Sequence, residues 1–172
     1  MTRPTVLFIA GMGRSGSTLI DRTLGEVSGY HSLGEVTHLW QRGVAGNQRC
    51  GSGEAFQSCP FWTKVGHVAF GGWDRVDADE AIRLQRSVDR TRYIPLLSTA
   101  RFLPGFRNRV ERYASMLGDV YQAAAEVSGA RVLIDSSKHA SSAYVLRHVS
   151  GISPAVVHLV RDPRAVAHAW TK

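Results

Sequence analysis

An α/β fold, a parallel sheet flanked by helices, is what this sequence predicts, and three observations predict it. Short β-branched runs stand at 5–10, 131–135 and 155–160. Each passes into a turn and then a helical pattern, the alternation that builds parallel sheets through right-handed crossovers. The 172 residues suffice to bury one sizeable core.

Taken in order, 5–10 (Thr-Val-Leu-Phe-Ile-Ala) reads as a buried strand. A helix over 18–28 is expected to bring Leu19, Ile20, Leu24 and Val27 onto one face. Residues 29–34 make a poor strand; 32–36 is a short extended piece and 37–42 a helical turn. The span 43–72, rich in glycine and aromatics, reads as an irregular loop packed by Phe56, Phe61, Trp62 and Phe70, either over a pocket mouth or merely structural. Asp77 and Glu80 form a capping-box start for a helix to about Arg92. Pro104 opens another helix through Ala125, with Val110, Ala114, Leu117 and Tyr121 on one stripe and Gly129 closing it. A helix over 140–149 follows the second strand, and Pro163 suits the first turn of a last helix.

This order implies one domain over 1–172 with a loop and helical insert at about 43–128. The last helix has neither cap nor returning strand, so the chain is expected to be the N-terminal part of a longer protein, truncated at its C-terminus. In such a fold the strand ends share one edge, where α/β proteins bind ligands. The glycine turn from Gly11, residues 136–139 and Arg161 are therefore expected to converge.

The net charge of +7 suits an anionic ligand, but equally nucleic acid or an acidic surface. No basic patch interleaved with aromatics argues for nucleic acid. Eight arginines between Arg83 and Arg112 face only Asp89 and Glu111; they read as a solvated helical face or as a surface for an acidic acceptor. Cys50 and Cys59, eight residues apart, have neither zinc spacing nor a disulfide framework; they bridge locally or stay free thiols. With no secretion signal and no membrane span, a cytoplasmic protein without membrane partners is expected.

The turn Gly11-Met12-Gly13-Arg14-Ser15-Gly16-Ser17-Thr18 lies between the first strand and helix, where backbone N–H groups favour an anion. As Gly-x-Gly-x-x-Gly it is a dinucleotide fingerprint, which needs a second strand ending in an acidic residue. Glu35 is roughly placed, but the strand before it is poor. As Gly-x4-Gly-Lys-Ser/Thr it carries Ser17 where the lysine should be, and Asp135 mimics the carboxylate that binds magnesium in nucleotidases. The third reading takes Arg14, Ser15, Gly16, Ser17 and Thr18 as a unit: one cation, one turn glycine and three hydroxyls.

Those five residues resemble the 5′-phosphosulfate-binding loop of sulfotransferases that use 3′-phosphoadenosine 5′-phosphosulfate (PAPS). The resemblance implies a P-loop NTPase-like sulfotransferase fold, PAPS as cosubstrate, no metal, and a hydroxyl acceptor on a small molecule, glycan or peptide. Gly34-Glu35 resembles the pair that supplies the general base in tyrosylprotein and several bacterial sulfotransferases. Asp135-Ser136-Ser137-Lys138 resembles the segment whose lysine approaches the transferring sulfuryl group. His139 is the second-ranked base. Residues 159–164 resemble the 3′-phosphate segment, Arg161 being its cation; Ala169 stands where that family has serine, and Thr171 could partly substitute. Two other readings stay open: a P-loop kinase or nucleotidase with a substituted lysine, and a non-catalytic nucleotide-binding module.

Overall fold

A computed structural model describes residues 3–99 and 103–171. Its sheet has four parallel strands, β1 (Thr5–Gly11), β2 (Tyr30–Gly34), β3 (Val132–Lys138) and β4 (Ser153–Leu159), in the spatial order β2-β3-β1-β4. The helices are α1 (Ser17–Gly25), α2 (Pro60–Phe70), α3 (Ala78–Val88), α4 (Ile94–Ser98), α5 (Pro104–Ser128), α6 (Ala140–Leu146) and α7 (Pro163–Trp170). The expected α/β class with a helix-flanked parallel sheet is what the chain forms.

β1 lies inside the sheet, Thr5 pairing with Val132 on one side and Ser153 on the other. Residues along a strand face alternate sides. Val6, Phe8 and Leu133 therefore enter the core with Val110, Tyr113, Leu117 and Tyr121 of α5. Ser136, on the opposite parity, meets Asp21 of α1. Thus α1 covers one face while α5 and α6 cover the other. The α5 stripe is buried as its spacing required, and Gly129 ends the helix at φ 67° with its N–H on the Ala125 carbonyl. Asp77 caps α3 by accepting from the Glu80 N–H at 2.9 Å.

Three expectations need correction. The poor strand at 29–34 is β2, paired in parallel with β3 from Tyr30↔Val132 to Gly34↔Asp135. Its weak propensity is overridden by a neighbour that satisfies its backbone and by burial of Leu33. The span 43–72 is not an irregular cover. Pro60 starts α2 and Gly71 closes it in the left-handed conformation. Phe56, Trp62 and Phe70 join Trp40 and Trp73 in a knot with ring centroids 5.3–6.3 Å apart, packed into the core. Finally, α1 turns its polar side inward: Ser17 and Asp21 are buried, while Leu19 is 72% exposed. The buried bonds of Asp21 decide the rotation of that helix.

Candidate functional site

The crossover from β1 leads through α1 toward β2, whereas that from β3 leads through α6 to β4 on the far side of β1. Connections that leave adjacent strands in opposite directions open a crevice at the strands' carboxyl ends. A cleft of about 1420 Å³ lies there, lined by the Gly11–Thr18 turn, Glu35, Lys138, His139 and Arg161 among others. Residues far apart in the chain thus share one cavity.

The turn is built by backbone conformations that few side chains tolerate. A Cβ on Gly11, at φ 156°, would lie 2.7 Å from the Leu159 carbonyl oxygen. Gly16, at φ 95°, occupies the N-cap of α1, so no side chain caps that helix. The N–H groups of Gly16, Ser17 and Thr18 donate to no acceptor among the described residues. These are the donors that make a helix N-terminus an anion site. Arg14, Gly16, Ser17 and Thr18 all line the cleft. Ser15 does not: it is only 8% exposed, and its hydroxyl is tucked under the turn without a partner among the described residues.

Opposite the turn, Lys138 Nζ donates to Glu35 Oε1 at 2.5 Å and to the Ser136 carbonyl at 2.9 Å. Gly34, at φ 69°, swings the chain at the end of β2 so that Glu35 faces the end of β3. Lys138 itself holds φ 70° and Arg14 φ 65°. Of the three non-glycine residues in the left-handed region among the described residues, two therefore stand at this cleft. Such strain persists where the surroundings enforce it, and it concentrates at functional sites.

The other Glu35 oxygen lies 3.2 Å from His38 Nε2. Burial, reinforced by Arg42, holds the His38 imidazole below its ordinary value despite Glu35. The contact is a close approach of ring nitrogen and carboxylate, and it becomes an ion pair only when the ring is protonated. His38 was missed in the sequence, where its only signal was a position three residues beyond Glu35.

Arg161 Nη1 donates to the Arg14 carbonyl at 2.9 Å, so the end of β4 touches the glycine turn. Ala169 puts a methyl in the cleft where a hydroxyl was expected. Arg164 folds back on Asp162 at 2.9 Å and stays in solvent. Trp170, also missed, is 64% exposed, lies against Gly13 and carries the Arg14 guanidinium 5.4 Å above its ring. Its signal was a large aromatic on the helix that Arg161 introduces.

Two buried carboxylates brace the site from below. Asp21 accepts from the Ser32 hydroxyl at 2.8 Å and the Ser136 hydroxyl at 3.2 Å, tying α1 to β2 and β3. Burial raises its carboxyl above the ordinary value. Asp135 points to the opposite face, away from the cleft. It accepts from Tyr121 OH at 2.6 Å, from the Ser137 N–H at 2.9 Å and from the Ser137 hydroxyl. Full burial pushes it up to about 6. Its likeness to a magnesium-binding carboxylate is therefore one of sequence, not of place.

Among the described residues, none of the arginine-rich stretch lines this cavity. Arg83 and Arg112 both pair with Glu80, at 3.0 and 2.9 Å; Arg101 lies outside the described residues. No helix among the described residues is long and apolar enough to cross a membrane.

Set against known proteins, the sequence matches no family model, no curated protein and no solved structure at a significant level.

Proposed function

We propose that the chain carries the PAPS site of a sulfotransferase of P-loop-like fold, moving a sulfuryl group to an acceptor hydroxyl. The observation that carries this reading is the Glu35–Lys138 contact, bridging 103 residues beside the uncapped start of α1. It sets a proton acceptor and a cation at the mouth of an anion site.

The residues present fit the cosubstrate. The free N–H groups of Gly16 to Thr18, the Thr18 hydroxyl and Arg14 suit the oxygens of a phosphosulfate. Hydrogen bonds to a charged group contribute about 1.5–3 kcal/mol each. Arg161 offers a planar fork that matches a second phosphate at the nucleotide's 3′ position. Trp170 offers a flat apolar face for a base. The bound cosubstrate supplies the activated sulfuryl group. Glu35 accepts the proton of the acceptor hydroxyl, Lys138 neutralises charge on the oxygens that leave, and the turn keeps donor and acceptor in line. His38 keeps the Glu35 carboxylate aimed at the cleft.

In a dinucleotide fold the second strand adjoins the first, whereas here β3 intervenes between β1 and β2. A kinase-type site wants a carboxylate at the strand end facing the phosphates, and Asp135 faces α5 instead.

Calorimetric titration with 3′-phosphoadenosine 5′-phosphate and with ATP, each with and without magnesium, tests the reading. The former is expected to bind more tightly and independently of metal; tighter, magnesium-dependent ATP binding overturns the proposal. Glu35→Gln is expected to lower turnover about 10²–10⁴-fold while leaving affinity for the bisphosphate unchanged. Equal turnover in both proteins would remove Glu35 as the base, and a binder without turnover would favour the non-catalytic module.

A further inference from the structure

We infer that Cys50 and Cys59 form a reversible intramolecular disulfide by thiol–disulfide exchange with a low-molecular-weight disulfide such as oxidised glutathione. Both are free thiols in the structure. One hydroxyl, Ser52 Oγ, lies 3.0 Å from Cys50 Sγ and 3.8 Å from Cys59 Sγ. Two sulfurs that share one small hydroxyl partner are close neighbours.

The surrounding backbone holds this arrangement. Arg49 and Ala55 form an antiparallel bridge, the Cys50 N–H donates to the Glu54 carbonyl at 2.8 Å, and the Gly53 N–H returns to the Cys50 carbonyl at 2.9 Å. Arg49 Nη1 clasps the Gly53 carbonyl at 2.7 Å. At the other end, Cys59 occupies the N-cap of α2, fixed by Pro60 and by Trp62, which is stacked on Phe56 at 5.3 Å.

Exposure divides the roles. Cys50 is partly exposed and Cys59 is buried. Burial raises the Cys50 thiol, but hydrogen bonds with Ser52 and Cys59 outweigh it and leave the thiol below its usual value. Cys50 thiolate attacks one sulfur of the oxidant, whose S–S bond breaks and releases one thiolate. Cys59, having lost its proton to solvent, then attacks Cys50 Sγ and expels the second thiolate. Two protein thiols are oxidised, one small disulfide is reduced to two thiols, and the protons balance. A low thiol value with a nearby resolving cysteine is the pattern of reactive pairs. The pair lies outside the cleft, so this inference stands apart from the proposed transfer reaction.

The test treats the folded, reduced protein with oxidised glutathione and maps its peptides without reduction. The expected product has lost two hydrogens, carries a Cys50–Cys59 cross-linked peptide and reverts with dithiothreitol. Closing this short loop is expected to raise Tm by roughly 5 °C. In Cys59→Ser, Cys50 is expected to retain a glutathione adduct that the wild-type protein resolves. Separate adducts on both cysteines of the wild-type protein, or two unmodified thiols in the native fold, overturn the inference; the wild-type map decides even if the variant fails to fold.

Discussion

Asp135→Asn separates a carboxylate that braces the fold from one that serves the ligand. Burial pushes Asp135 up to about 6, from the 3.8 of an ordinary aspartate. A gap of about two units corresponds to about 3 kcal/mol of linkage. Because the folded value is the higher one, the native state retains a proton between about pH 4 and 6 that the unfolded chain has released. Stability therefore falls as pH rises through that window, and above it the full deficit persists. Asparagine cannot titrate. Its oxygen can keep the Ser137 N–H and hydroxyl, while its amide turns Tyr121 OH from donor into acceptor. That exchange adds a nearly pH-independent cost of about 1–3 kcal/mol from the Tyr121 proton left without a partner.

Urea denaturation of both proteins at pH 4, 5, 6 and 7 reads the difference. The wild-type advantage is expected to shrink by about 3 kcal/mol from pH 4 to 7. Other buried groups pull in both directions: Asp21 and Asp119 are raised by burial, His31 and His38 lowered by it. All are common to the two proteins and cancel in the difference. Parallel pH profiles would refute the linkage argument. The variant is also expected to bind 3′-phosphoadenosine 5′-phosphate as the wild type does. A loss beyond about tenfold, or 1.4 kcal/mol, would put Asp135 at the ligand and restore the kinase reading.

Two further substitutions probe the scaffold and the strain. In Gly66→Ala the new Cβ would stand 2.4 Å from Trp73 Nε1, which donates to the Trp62 carbonyl at 2.7 Å; a loss of about 3 kcal/mol is expected in urea denaturation, and an unchanged midpoint would contradict the packing described for the aromatic knot. Lys138→Gly relieves a left-handed backbone at φ 70° and gives up an ion pair whose carboxylate is half in solvent, so stability is expected within about 1 kcal/mol of wild type while turnover is lost. A melting point lowered as much as that of Gly66→Ala would mean that Lys138 supports the fold rather than the reaction.

What the sequence disclosed and what it concealed follow one physical division. β1, β3 and β4 were legible as short β-branched runs, although β4 is exposed along nearly its whole length, and α5 because Val110, Ala114, Leu117 and Tyr121 recur at helical spacing and are all buried. Asp77 and Gly129 were legible because capping is local. β2 was hidden because its place depends on β3, a hundred residues later, and α1 was read face-inverted because Asp21 finds its partners only in the folded sheet. The candidate site divides the same way. Arg14, Ser17 and Thr18 sit in a contiguous turn whose glycines betray it, whereas Lys138 and Glu35 meet only through topology. The left-handed backbones of Arg14 and Lys138 were also unreadable in advance, since arginine and lysine are unremarkable letters until folded. A fold that holds its two most suggestive cations in a conformation costing about 1–3 kcal/mol each must be compensated by something, and hydrogen bonds do part of it: Arg161 on the Arg14 carbonyl, and Lys138 on Glu35 and the Ser136 carbonyl. An anion bound at the bare N–H groups of α1 is expected to slow amide hydrogen exchange at this edge of the sheet more than elsewhere in the molecule, and uniform protection would argue against a site there.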